Sequence, residues 1–100
     1  MPLEWSVPLP LDANFSTLFY EFSTKDGDIN FAVNFIDHRG NARSILAMQR
    51  YPSDVQTICG SYEFDTPGIV VLVWDNSHAW FGTKLLSYSV HIQKVQMIIS

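Results

Sequence analysis

The unbroken apolar run at residues 69–74, Ile-Val-Val-Leu-Val-Trp, constrains the fold more than any other stretch of this chain. It follows the turn signal Pro67-Gly68 and ends at a polar corner formed by residues 75–77. Its length fits a strand that is buried on both faces, and its three valines favour a strand over a helix. The run therefore predicts the centre of an antiparallel sheet.

Alternation of apolar and polar residues predicts strands in the rest of the chain. Residues 1–10 contain three prolines, which suit an extended edge strand. A turn signal at residues 25–28 predicts a hairpin whose second strand directs Ile29, Phe31, Val33 and Phe35 to the core. Residues 42–51 fit either a short helix or a strand, and we favour the strand.

Two further strands complete the predicted fold. One covers residues 55–62, where we expect Cys59 to be buried as a small apolar residue. The last covers residues 86–92, in which Leu86, Tyr88, Val90 and Ile92 alternate with polar residues. Seven or eight short strands separated by turn signals predict an all-β, antiparallel and jelly-roll-like sandwich in one domain.

Composition limits the classes of partner and compartment. The chain has 100 residues, 47% of them hydrophobic, which allows one well-packed domain. Its net charge of −4 and only six Lys and Arg argue against a nucleic-acid partner. One cysteine permits neither an internal disulfide nor a thiolate zinc cluster, and the longest apolar runs are too short for a membrane span. We therefore expect a cytoplasmic protein.

Several short motifs resemble those of the GOLD (Golgi dynamics) domain in order and spacing, from about residue 7 to residue 92. They are an aromatic-Glu-Phe strand, an Asp-Ile-x-Phe strand, a Gly-Ser strand start, a Pro-Gly turn and an aromatic-Asp-Asn-Ser corner followed by a lysine. Here these motifs are Tyr20-Glu21-Phe22, residues 28–31, Gly60-Ser61, Pro67-Gly68, and residues 74–77 with Lys84. The resemblance implies a β-sandwich without catalytic activity, cofactor or metal.

The same resemblance implies a role in protein recognition during Golgi and secretory vesicle traffic. Members with a lumenal domain normally carry a disulfide, which this chain cannot form. It therefore resembles the cytosolic members, such as lipid-transfer proteins and Golgi acyl-CoA-binding scaffolds. The implied location is cytoplasmic, at the periphery of Golgi or vesicle membranes.

The polar corner invites a catalytic interpretation that we do not favour. Asp75, Ser77 and His78 contain the groups of a hydrolytic triad, but neighbouring residues in sequence point in different directions. We expect Asp75 and Asn76 to bond the backbone of the loop, with Lys84 pairing with Asp75 across it. The three histidines, at positions 38, 78 and 91, lack the spacing of metal ligands.

Two surfaces are candidates for binding a protein partner. The connection at residues 75–84 is longer than a tight hairpin needs, and its tip carries His78, Trp80 and Phe81. We expect Trp80 to be exposed and Phe81 to point inward. The second candidate is Arg50 with Tyr51, beside an apolar strand. Buried aromatic and arginine side chains often dominate the energy of an interface.

Two other functions remain open from the sequence. Residues 34–39 faintly resemble the sugar-binding strand of galectin-like lectins, although the tryptophan motif of that family is absent. Alternatively, Trp80 and Phe81 would insert into a lipid interface as a peripheral membrane contact.

Overall fold

The computed structural model describes residues 4–12, 15–77, 84–94 and 99, and all regular secondary structure in these ranges is β-strand. The strands are β1 (Glu4–Leu11), β2 (Ser16–Lys25), β3 (Ile29–Asp37), β4 (Ala42–Tyr51), β5 (Ile58–Phe64), β6 (Gly68–Asp75) and β7 (Leu85–Lys94). The predicted all-β class is confirmed, as is the choice of strand over helix for residues 42–51. Across these ranges no helix is long and apolar enough to cross a membrane.

The strands form two antiparallel sheets that face each other as a sandwich. The four-stranded sheet has the order β1-β6-β3-β4, and the three-stranded sheet has the order β5-β2-β7. The apolar run lies within β6, which pairs with β1 on one side and with β3 on the other. The prediction that this run is the centre of an antiparallel sheet is therefore confirmed.

An aromatic cluster joins the central strands of the two sheets. Phe22 of β2 lies with its ring centroid 4.6 Å from that of Phe31 and 5.7 Å from that of Trp74, and the last two are 5.2 Å apart. All three side chains are almost completely buried. Tilted and edge-to-face aromatic pairs at these distances are favourable beyond the area that they bury.

The turn at residues 25–28 does not form the predicted hairpin. It carries the chain from β2 in one sheet to β3 in the other, through Asp26 and Gly27 at φ angles of 71° and 113°. Both strands have an apolar face that must be buried. When β2 and β3 lie in opposite sheets, these two faces pack against each other. The hydroxyl of Thr24 donates to the carbonyl of Gly27 at 2.7 Å, which holds the turn in place.

The fifth strand begins later than predicted, and its cysteine faces the other way. Residues 53–57 form a turn in which Val55 is 82% exposed, and β5 starts at Ile58. From there, even-numbered side chains such as Ile58 and Phe64 face the core, so Cys59 faces solvent. The prediction that Cys59 is buried is wrong because the strand boundary was misplaced and the register could not be determined locally.

Strand β4 is irregular along its pairing with β3. The paired residues are Phe31 with Gln49, Val33 with Leu46, and Asn34 with Ser44, so β4 carries extra residues at two places. Such bulges bend a strand and interrupt its ladder. Here Ile45 and Leu46, although adjacent in sequence, both pack against the core.

The close approach of β3 at Gly68 generates a stability prediction. A Cβ atom at Gly68 would lie 2.5 Å from the carbonyl oxygen of Ile36 and 2.5 Å from the Phe35 ring, and a backbone oxygen cannot move aside cheaply. We expect Gly68→Ala to lower the free energy of unfolding by about 1–3 kcal/mol, measured by urea denaturation.

Gly60→Ala is the matched control, since its Cβ would meet the hydroxyl end of the Tyr20 side chain rather than a backbone atom. A smaller loss is expected there. A loss at Gly60 equal to or larger than that at Gly68 would contradict the packing described for β6.

Candidate functional site

One row of residues crosses the whole four-stranded sheet at the end where β6 finishes. Glu4 pairs with Asp75, Asp75 with Asn30, and Asn30 with Arg50. Neighbouring strands are about 4.8 Å apart, so Arg50 and Asp75 lie roughly 10 Å from each other. Arg50 and the start of the β6–β7 connection, which are distant in sequence, therefore share one end of the sandwich.

The carboxylate of Asp75 organises the exit of the chain from β6. Its Oδ2 accepts a hydrogen bond from the Ser77 hydroxyl at 2.7 Å and one from the Asn30 side-chain amide at 3.4 Å. Its Oδ1 accepts the Ser77 backbone N–H at 3.4 Å. This is the local side-chain-to-backbone bonding expected of an aspartate at a strand end. The Ser77 hydroxyl therefore donates directly to a carboxylate.

Lys84 joins the two ends of the β6–β7 connection. It lies immediately before β7, and its Nζ donates a hydrogen bond to Oδ1 of Asn76, whose side chain is buried. The carbon stem of Lys84 passes over Gly27 in the β2–β3 turn. A Cβ atom at position 27 would lie only 3.0 Å from Cε of Lys84. The structure thus brings together the three predicted turn residues, Asp75, Asn76 and Lys84. The acceptor observed for Lys84 is the side-chain amide of Asn76.

The loop tip itself is outside the described residues. His78, Trp80 and Phe81 fall in the range 78–83, so their predicted contact with a partner stays a prediction. The residues on either side, Ser77 and Lys84, are described and lie at the same end of the sandwich as Arg50.

Arg50 and Tyr51 differ in how they are held. The Arg50 side chain is 55% exposed, with its Nε 3.7 Å from Oδ2 of Asp28. The Tyr51 ring packs edge-on against Phe22 at 6.2 Å and against Phe31 at 6.0 Å, so it belongs to the rim of the core. Its hydroxyl lies at the surface and accepts a hydrogen bond from the Gln49 side chain at 3.0 Å.

Two observations on the described residues bear on metal and sugar binding. These residues contain no group of three His, Cys, Asp or Glu side chains that could hold a metal ion. In the segment that resembles a lectin strand, the Asp37 carboxylate accepts the backbone N–H groups of Asn41 and Arg39, each at 2.9 Å. These bonds, that from Asn41 foremost, hold the pKa of Asp37 below its usual value. Asp37 therefore closes the β3–β4 turn.

Sequence reasoning missed a shallow depression on the outer face of the three-stranded sheet. It has a volume of about 380 Å³ and is lined by Phe19, Glu21, Cys59, Ser61, Ser89 and His91 among others. The rings of Phe19 and His91 stack across β2 and β7, with centroids 6.3 Å apart. No local pattern could have found this depression, because only the β2–β7 register places His91 beside Phe19.

The contact between Lys84 and Asn76 generates a second stability prediction. Lys84→Met keeps the carbon stem over Gly27 and removes the donor to a buried amide oxygen. We expect it to lower the free energy of unfolding by about 1–3 kcal/mol in urea denaturation.

Lys94→Met is the control. Lys94 forms a 2.7 Å ion pair with Asp12 in which both side chains are more than half exposed, so its loss should change stability little. Equal effects of the two substitutions would mean that Lys84 does not hold the loop.

No protein-family model matches this chain, and neither does any curated protein. The resemblance to GOLD domains therefore rests on the sequence motifs, and the family stays a prediction.

Proposed function

We propose that this chain is a non-enzymatic protein–protein interaction module of Golgi and secretory vesicle traffic. We further propose that it contacts its partner with the end of the sandwich that carries Arg50 and the loop at residues 78–83. The single observation that carries this proposal is the strand register, in which Arg50, Asn30 and Asp75 are neighbours in one row.

The register supports the proposal because Arg50, from one predicted surface, lies in the same row as Asp75, where the connection to the other predicted surface begins. A site with Arg50, Tyr51 and Trp80 would combine the residue types that most often anchor protein interfaces. Tyr51 is already held by Phe22 and Phe31, so little side-chain freedom would be lost when its hydroxyl meets a partner.

The root of the loop supports the same assignment. Hydrogen bonds from Ser77 to Asp75 and from Lys84 to Asn76 restrain both ends of the connection. A loop with restrained ends loses less entropy on binding than a free one. The assignment to Golgi and vesicle traffic, with a cytoplasmic location at membrane peripheries, follows from the GOLD resemblance.

The proposal predicts which substitutions abolish partner capture. The full chain, immobilised and exposed to cytosol, should recover a specific protein, and that protein should be depleted with Arg50→Gln and with Trp80→Ala. Truncating an interface anchor typically costs about 2 kcal/mol or more, which is roughly 30-fold in affinity. Quantitative mass spectrometry of the recovered proteins measures this depletion.

Arg43→Gln is the matched control, because Arg43 lies on the same edge strand at its other end, with its guanidinium 5.3 Å from the Phe35 ring centroid. It should retain the partner. If the wild-type chain and the three variants recovered the partner equally, this end of the sandwich would not be part of the interface. Binding of the wild-type chain to liposomes that depends on Trp80, without a protein partner, would replace the proposal with a lipid-binding function.

A further inference from the structure

Among the described residues, no strand of the three-stranded sheet lies opposite β1. Contacts between the sheets set Phe22 of β2 against Phe31 of β3, and Tyr88 of β7 against Trp74 of β6 at 4.9 Å. With β2 and β7 facing β3 and β6, the first half of β1 extends past β7. The inward-facing side chains of β1 are accordingly exposed in its first half and buried at its end, from 44% exposure at Trp5 to 3% at Leu11.

A groove therefore runs between the first half of β1 and the edge of β7. Trp5 and Val7 form one wall, and Leu86 and Tyr88 form the other. Tyr88 faces inward yet remains 40% exposed, and its hydroxyl accepts a hydrogen bond from the Trp5 indole at 3.3 Å. Apolar side chains that stay accessible in this way are typical of a surface that binds a further segment of chain.

The other three edges of the described sandwich are protected against an added strand. On β1, Pro8 and Pro10 lie at positions where the backbone N–H would point to the open edge. Since proline has no N–H, this edge cannot donate those hydrogen bonds to an added strand. Strand β4 is bulged and carries Arg43 and Arg50. Strand β5 has only seven residues and is interrupted by Gly60.

The edge of β7 has none of these features. Its ten residues pair with β2 without a register shift, from Leu85 opposite Lys25 to Lys94 opposite Ser16. It contains neither proline nor glycine. A long and regular edge whose one charged side chain, Lys94, lies at its last residue is a template for another strand.

We propose that an extended segment of a partner protein adds to the sandwich as a strand beside β7, with alternate apolar side chains packed under Trp5 and Val7. Pairing with β7 supplies the backbone hydrogen bonds, and the groove selects the apolar positions. Strand β7 carries His91 and Lys94 but no carboxylate, so the polar positions of the segment are neutral or acidic.

A second copy of this chain does not fit the groove through its own β7. Two β7 strands paired about a two-fold axis would bring the overhanging residues of each β1 into the space of the other β1. The occupant is therefore a single extended segment that is not part of a sandwich. This inference goes beyond the proposed function, since the groove is lined by Trp5, Val7, Leu86 and Tyr88 and does not include Arg50.

The test supplies such a segment in the full chain. A Gly/Ser linker of about eight residues and a strand of alternating Val with Thr or Glu are fused after Ser100, which gives a high effective concentration. The control fusion has the same composition with the valines in one block. We expect the alternating fusion to raise the melting temperature above that of the control and to slow amide exchange at alternate β7 residues by about tenfold or more.

A charge in the groove should remove this difference. In a Val7→Asp background we expect the two fusions to melt together, whereas in a Ser6→Asp background, with the charge on the opposite face of β1, the difference should persist. Because each background compares two fusions, a loss of stability common to both does not affect the result.

Three outcomes would overturn the inference. The alternating and block fusions would show the same melting temperature and the same β7 exchange. The added protection would appear at β5 or β4 instead of β7. The unfused chain would sediment as a dimer whose β7 amides are protected, which would make a second copy the occupant.

Discussion

Packing of Phe22, Phe31 and Trp74 joins the two sheets of the sandwich. These rings come from β2, β3 and β6, and they are the main direct link between the centres of the two sheets. Each sheet has one apolar face that must be covered, and neither is stable alone in water. The cluster explains why β2 and β3 lie in opposite sheets, although a tight turn joins them.

The same cluster determines where the candidate site lies. Because Trp74 points inward at the end of β6, Asp75 points outward and its carboxylate can bond Asn30 and Ser77. Phe31 in turn holds the ring of Tyr51, which sets Arg50 beside it at the surface. The end of the sandwich that we propose as a partner surface is thus a direct extension of the core.

The unequal width of the sheets has a separate consequence. Four strands facing three leave part of β1 uncovered, and Trp5 and Tyr88 remain accessible as a result. Prolines on β1 and bulges on β4 protect two edges from unwanted pairing, while β7 is left regular. A site for an added strand and a site at the sandwich end would allow the chain to hold one partner in two ways, or two partners at once.

Local patterns were enough to predict the strands but not their arrangement. The apolar run of β6 and the inward residues of β3 were predictable because burial on one or both faces leaves a period in the sequence. The turn at residues 25–28 has the same signature whether its strands pair or cross between sheets. The exposure of Cys59 and the alignment of Arg50 with Asp75 depend on registers between distant strands, which no local pattern records. The motif residues Asp75, Asn76 and Lys84 were predictable as a turn in which Asp75 bonds the loop backbone, whereas the contact of Lys84 with the buried Asn76 amide was not.

The alignment of β4 and β6 on either side of β3 places Arg50 in one row with Asp75, and nuclear Overhauser effects measure it directly. In a ¹⁵N- and ¹³C-edited spectrum of the full chain, the backbone protons of Asn30 should show cross-strand effects to Asp75 on one side and to Arg50 on the other. Effects from Asn30 to Val73 and Met48 instead, or an absence of any contact between β3 and β4, would place Arg50 away from the loop and contradict the account.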